Sequence, residues 1–600
     1  VWLHAALASL DADLRRRFAT PLLLAAAPHG AALRQLGAAL GASRVHAAAR
    51  YEPALADADA ATAAELEAHG MRLELHHGYL LHAPGDIALD LTDFSGHFGA
   101  HASRLCISYV QEPPAHDAAD GAGTMSPFQR ACARRPPPAL PLPEPSGAAA
   151  KRFLPASAPP PPGCVSLDAL QLARMPRRPD GSVVDWGAAL LRAWGGAACI
   201  SEADALSRCD AYCTAELLAD GAAASRLSPY LRFGQLSPRR LAAAAAAASG
   251  GASTPAARSF TRRLVWRDLA YWQLSRFPAV THAPLRWSLD PQSWAQQPQR
   301  EQRLAAWRRG ATGFPLVDAA MRELFATGWM QQRFRMVAAS FLVRSLRVPW
   351  QDGLAWFHDT LVDADVAINS MMWANCAGAG LDPWSFEDTL LQTPQGSARP
   401  SDPTAGDYIR KWLPELAALP AQHLHAPWAA PPAVLAAAGV VLGESGTYPA
   451  RIVDAAAEAA AHDADARAAR LAASPGWRDA AGYDLLEVPP GCVAAPHPAA
   501  GGGLVRLFTL PEQRRAGIAA PATPPSRDAT PAKRRKAPSS RAAATQPPKT
   551  AKRPRRISLA DAPVVGRNAR RDRDERALRR YTDASVADVD ALEAASEDAA

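Results

Sequence analysis

The eight cysteines of this 600-residue chain form no CxxC pair and no regular framework. That argues against zinc ribbons, thioredoxin-like redox motifs and disulfide scaffolds, and for free or buried thiols in a reducing, intracellular compartment. No apolar run reaches the ~20 residues of a membrane helix, and "LAAAAAAASG" (241–250) reads as alanine-rich helix, so no membrane is expected. Neither charge sign dominates. Lys and Arg total 65 against 58 Asp and Glu, a formal +7 with a pI near 9.1; that excess allows an anionic partner without requiring one. His76, His77 and His82 surround an apolar strand pattern and are read as unaccompanied by acidic or cysteine ligands, so surface or rim histidines are expected and no metal site. The chain opens on Val1, directly in the amphipathic pattern "VWLHAALASLDADLRRRF". A preceding piece is expected, and any targeting segment would lie in it.

Residues 1–100 alternate helical patterns with short apolar runs: "TPLLLAAA", "SRVHAAARY" and "MRLELHHGYLLH". This alternation predicts an α/β domain with a parallel sheet. Residues 101–182 break it with proline-rich stretches such as "RRPPPALPLPEPSG", which predict an irregular or PPII linker. From 183 to 475 the periodicity is helical, and most of the 16 tryptophans fall there. Residues 500–600 turn to Gly, Pro, Ala, Lys and Arg. Two basic clusters, "AKRRK" (532–536) and "AKRPRR" (551–556), precede an acidic end. Such a segment is expected to be disordered and to carry a bipartite nuclear-import signal, placing the protein in the nucleus with the import machinery as a partner.

The stretch "LVDADVAINSMMWANC" (361–376) concentrates polar groups in an apolar helix. Asp365, Asn369 and Trp373 are spaced i, i+4, i+8 and form one stripe. On "WMQQRFRM", Gln332, Arg335 and Met336 share a face by the same rule.

These stretches occur in order with "AWRRGATGFPLVDAAMREL" and "SRLSPYLRFGQLSPRRL". Together they resemble the photolyase/cryptochrome family of flavoproteins, from near residue 1 to about 475. The resemblance implies an α/β, Rossmann-like antenna domain followed by an all-α FAD-binding domain, and FAD as cofactor. It also allows an antenna pigment of folate or deazaflavin type. Against the family pattern a first strand is missing, and residues 101–123 read as an insertion.

The resemblance further assigns roles. Asp363 pairs with Arg335 beside the flavin, Asp365 lies near N3, and Asn369 faces N5. An asparagine there can hydrogen-bond a reduced N5–H but supplies no proton. Tyr212, Ser225, Arg226, Leu227 and Ser228 match the phosphate end. Phe260, Arg263, Trp266 and Gln332 complete the cofactor set. Trp373, Trp350 and Trp294 match the electron-transfer chain, with Trp287 a rival for the outer place.

In dimer-repairing members a carboxylate, a tryptophan and a methionine line the lesion pocket, with a second tryptophan from the N5 helix. Here Arg263 stands for the acid and Asn375 for the second tryptophan, while Trp266 and Met336 are kept. The long tail and the altered pocket favour a blue-light photoreceptor of cryptochrome type, signalling to partner proteins through the tail. The alternative, favoured by Trp266, Met336 and the Asn369 that the resemblance makes photolyase-like, is a light-driven lyase that repairs cyclobutane pyrimidine dimers. The modest positive excess allows DNA as a partner, held weakly or non-specifically unless the chain is a lyase.

Overall fold

The computed structural model describes residues 1–87, 125–142, 154–155, 157–173, 175, 180, 182–183, 185–213, 225–248, 255–286, 294–382, 403–472, 484–487 and 504–507. The first unit contains α1 (Trp2–Phe18), α2 (His29–Leu40), β1 (Arg44–Ala48), α3 (Pro53–Glu67) and β2 (Arg72–His76). The two strands are parallel, from Arg44 opposite Arg72 to Ala48 opposite His76, with α3 as the crossover such a pair requires.

"TPLLLAAA", expected as a strand, makes only an isolated bridge, Ala25 to Cys164. Pro21 lacks an N–H, and the partner segment follows four successive prolines, so neither side can extend a ladder. The proline-rich block is not irregular throughout. It contains α4 (Met125–Ala133), whose Met125, Phe128 and Cys132 are buried; Phe128 packs on Trp272 with ring centroids 6.1 Å apart. Residues beyond 500, expected as tail, supply β4 (Leu504–Leu507), antiparallel to β3 (Asp484–Glu487). The insertion at 101–123 and the tail after 507 lie outside the described residues.

The second unit is helical: α5 (Trp186–Ala193), α6 (Glu202–Ala211), α7 (Pro238–Ala248), α8 (Pro255–Arg276), α9 (Gln299–Arg309), α10 (Pro315–Thr327), α11 (Gln332–Ser340), α12 (Trp350–Thr360), α13 (Val366–Cys376), α14 (Pro403–Trp412) and α15 (Ala455–Ala472). Helix α13 packs between α8 and α12. Its Met371 and Ala374 belong to one apolar cluster with Leu264, Leu269 and Trp272. Its Trp373 and Cys376 belong to another with Trp307, Phe341 and Trp350. A helix buried on two sides is apolar nearly all round, which is why so few positions on it are polar.

The start of α10 explains the motif "GATGFPLVD". Pro315 opens the helix, where its missing N–H costs nothing. Asp318 accepts from Thr312 N at 2.7 Å, Thr312 Oγ1 at 2.7 Å, Gly313 N at 3.0 Å and Tyr448 Oη at 2.6 Å. Gly313 has φ +80, and a Cβ there would stand 2.5 Å from the Ala450 carbonyl oxygen. The motif is therefore a buried loop lock.

The two units are joined by buried polar contacts. Asp268 on α8 accepts from Leu81 N at 3.1 Å, His82 N at 2.9 Å and His82 Nδ1 at 3.0 Å. His82, expected at the rim, is instead largely buried. Burial holds the Asp268 carboxyl above its usual range, with the His82 bonds opposing it; a carboxylate so deep needs these partners.

Candidate functional site

A cavity partly open to solvent lies between α11, α12, the 361–365 turn and the length of α13. Its lining includes Gln332, Arg335, Met336, Asp363, Asp365, Asn369 and Trp373. Both stripes read from the sequence thus meet at one place.

Arg335 is held by its own turn and by the facing loop. Its Nε donates to Met330 O at 2.6 Å and its Nη2 to Asp363 Oδ2 at 2.8 Å. The other Asp363 oxygen, Oδ1, is buried and has no hydrogen-bond partner. A buried acceptor left open costs about 1–3 kcal/mol unless a ligand donor meets it.

Asp365 is engaged differently. Its Oδ1 caps α13 by accepting from Ile368 N at 3.1 Å. Its Oδ2 accepts from Tyr271 Oη at 3.0 Å and Tyr79 Oη at 3.2 Å, with Arg267 Nη1 at 3.7 Å. Burial and the Asp365 charge raise both tyrosine pKa values, keeping the hydroxyls as donors. The carboxylate oxygen without a partner among these lining residues therefore belongs to Asp363, whereas Asp365 ties α13 to the first unit through Tyr79.

Asn369 Nδ2 donates to Leu354 O on α12 at 3.1 Å. A carbonyl partner fixes the amide orientation and leaves Oδ1 as the acceptor. Trp373 is buried edge-on against Phe357 (5.0 Å, 72°) and Trp307 (6.2 Å, 73°). Gly353 makes room for it: a Cβ there would stand 2.1 Å from Trp373 Cη2. Trp350 shares this cluster, and Trp294 packs against it from a partly buried position. Trp287 lies outside the described residues.

The other candidates gather outside the lining of this cavity. Tyr212 and Phe260 are buried together, rings 5.1 Å apart. Ser225 is half-buried and Leu227 buried. Arg226, at φ +48, lies over Trp194 at 4.3 Å and Trp329 at 5.1 Å, and Trp329 Nε1 donates to Ser228 Oγ at 3.3 Å. Arg263 is exposed, while the neighbouring half-buried Trp266 keeps a buried indole N–H without a partner. Asn375 is fully buried, and a Cβ on Gly380 would come 2.1 Å from its Oδ1.

One group beside the site escaped the sequence reading. Glu323, within the quoted motif, is buried and accepts from Tyr408 Oη at 2.6 Å. Burial pushes its carboxyl up to about 7, opposed by that hydrogen bond and by the charges of Arg226 and Arg335. The i+8 offset of Glu323 from Pro315 gives no hint of this; only the tertiary packing of α10 on α14 does.

Residues 1–120 match the family model described as DNA photolyase, and residues 260–468 match the FAD binding domain of DNA photolyase. The chain is 32% identical over 462 residues to a deoxyribodipyrimidine photo-lyase of Agrobacterium fabrum, covering 76% of this chain and 85% of that one. It belongs to the photolyase/cryptochrome family. Cryptochrome-1 of Arabidopsis thaliana is 38% identical over 242 residues, which span 39% of this chain and 34% of that one. The crystal structure of a bacterial class III photolyase from Agrobacterium tumefaciens superposes with a TM-score of 0.63 at 30% identity, covering 78% and 88% of the two chains. A Synechocystis cryptochrome at 23% identity and TM-score 0.54 shares the fold. The cofactor of this photolyase/cryptochrome FAD domain is FAD, and the cavity chemistry suits it. Asp363 Oδ1 and Asn369 Oδ1 are acceptors for N–H or ribityl O–H donors, and Arg335 supplies positive charge beside them.

Proposed function

We propose that the protein is a light-driven DNA lyase acting on cyclobutane pyrimidine dimers. The observation that carries this reading is the neutral acceptor in the cavity. Asn369, locked to Leu354 O, offers an oxygen but has no proton to give. The long match to a photo-lyase, 85% of that enzyme's length, supports the same reading. When bound, the flavin supplies a blue-light-absorbing ring that exchanges single electrons. The chain's own residues do the rest. Arg335 and Asp363 hold the polar edge of the cavity, Trp373 supplies an oxidisable ring at its wall, and the apolar clusters exclude water.

A flipped dimer needs a stacking surface and donors or acceptors for its base edges. Half-buried Trp266, next to the cavity rather than in its lining, is the candidate stacking ring. Exposed Arg263 suits a phosphate but replaces an acid. Repair is therefore expected to be slower on duplex than on single-stranded DNA, where flipping costs less. The test is the purified FAD-loaded protein under blue light on dimer-containing strands of both kinds. Arg263→Glu should raise the rate; Asn375→Trp is a poor companion, because Gly380 leaves no room for an indole.

A second reading, a cryptochrome-type photoreceptor, is favoured by Arg263 and Asn375 together with the basic tail. Photoreduction without repair of either substrate would select it. In both readings, the clusters at Lys533–Lys536 and Lys552–Arg556 support nuclear import. A reporter carrying residues 525–560 that remains cytoplasmic would remove that part.

A further inference from the structure

We propose that His46, Glu74 and His76 form a binding site for a divalent transition-metal ion of the Zn²⁺ kind, on the open face of the β1–β2 pair. It is independent of the flavin reading. The register sets His46 directly opposite Glu74. His76, two residues further along β2, returns to the same face because the side-chain period of a strand is two.

The side chains converge as that placement requires. His46 Nδ1 lies 2.9 Å from His76 Nε2 and 3.5 Å from Glu74 Oε2, and the three ligand atoms fall within 4.8 Å of one another. The two imidazoles are nearly parallel, with centroids 5.1 Å apart. Two His nitrogens and one carboxylate oxygen form a donor set that suits Zn²⁺, and the exposed position leaves a fourth site to water. Glu74 and His46 correct the expectation that His76 has no companion ligands suited to a metal.

The rest of the face points the same way. Parallel sheets are ordinarily apolar on both faces, yet Arg44, His46, Arg72 and His76 are all exposed here. Arg44 and Arg72 stand 3.8 and 4.0 Å from Glu74, so they compete for its carboxylate and moderate the affinity without blocking the histidines.

The test uses the full FAD-loaded chain, stripped with chelator, dialysed and titrated with Zn²⁺ against a chromophoric competitor. One equivalent is expected to bind. Even groups behind metal ligands change affinity by about 10–100-fold, so His46→Ala and His76→Ala should each weaken binding by at least about tenfold. Glu74→Gln should weaken it in the same direction. An unchanged flavin absorbance would show that each variant is folded. Failure of the parent protein to compete with the chelator overturns the proposal, and so does a His46→Ala/His76→Ala double variant that still binds one equivalent with parental affinity.

Discussion

Asp318 and Asp363 are both buried aspartates at the entrance to a helix or helical turn, and they do opposite things. Asp318 accepts four hydrogen bonds from Thr312, Gly313 and Tyr448, so both oxygens are saturated by the protein. Asp363, which lines the cavity, has one ion pair and one buried oxygen without a partner. A saturated buried carboxylate stabilises its own chain; an unsaturated one at a cavity is shaped for a ligand. The difference separates the part of the family signature that makes the fold from the part that holds the cofactor.

The sharpest way to break this contrast is to truncate each aspartate. Asp318→Ala strips the acceptor from two backbone N–H groups and two hydroxyls at a fully buried position. Each lost partner costs about 1–3 kcal/mol, so a loss on the order of 4 kcal/mol or more is expected. The helical domain should melt far lower, with or without flavin. Asp363→Ala leaves Arg335 facing the Met330 carbonyl alone. Removing one partner of a buried pair costs about 3–5 kcal/mol, and the partial exposure of Arg335 argues for the lower end. This variant should stay folded and emerge from gel filtration depleted of flavin absorbance. Equal flavin content in Asp363→Ala and the parent would remove Asp363 from the site.

A third buried carboxyl sharpens the comparison through pH. Burial raises Glu323 to about 7 from an ordinary 4.5, so the folded state binds its proton more tightly than the unfolded chain does. Its contribution to stability is complete below pH 4.5 and is lost as pH rises through about 7. At about 1.4 kcal/mol per pKa unit, the loss is on the order of 3 kcal/mol. Glu323→Gln carries no such proton. Its melting temperature should therefore be flatter than the parent's between pH 5 and 8. Parallel profiles for the two proteins would refute the assignment.

How much of this was legible in the sequence depended on the range of the interaction. The i, i+4, i+8 stripe of Asp365, Asn369 and Trp373 needs only helical geometry, and these residues do line one cavity. Capping of α13 by Asp365 is likewise local. The engagement of Asp365 by Tyr79 and Tyr271, 286 and 94 residues away, could not be read from spacing. Nor could the closure of the loop lock by Tyr448, which is 130 residues from Asp318. The missing strand at "TPLLLAAA" shows the reverse error. Apolar content predicts a strand, but a ladder needs donors on a partner, and the proline-rich partner had few. His82 was misplaced for a related reason, because its partner Asp268 belongs to the other unit.

The mildest change for the fold is the most informative about light. Trp373 lies between the cavity and the apolar cluster that holds Trp350 and, at its edge, Trp294. Phenylalanine at 373 keeps an aromatic ring in the space Gly353 leaves open, so the stability loss should stay near about 1–2 kcal/mol, as for other modest core changes. Flavin should bind at the parental ratio, since Arg335, Asp363 and Asn369 are untouched. What changes is the ease of removing an electron, because a benzene ring is far harder to oxidise than an indole. Under blue light with external reductant, the flavin absorbance of Trp373→Phe should bleach much more slowly than that of the parent. Slow bleaching with normal flavin content would separate the electron-donating wall of the cavity from the carboxylate that binds, just as Asp363→Ala separates binding from folding. Bleaching at the parental rate would show that electrons enter by a route that bypasses Trp373.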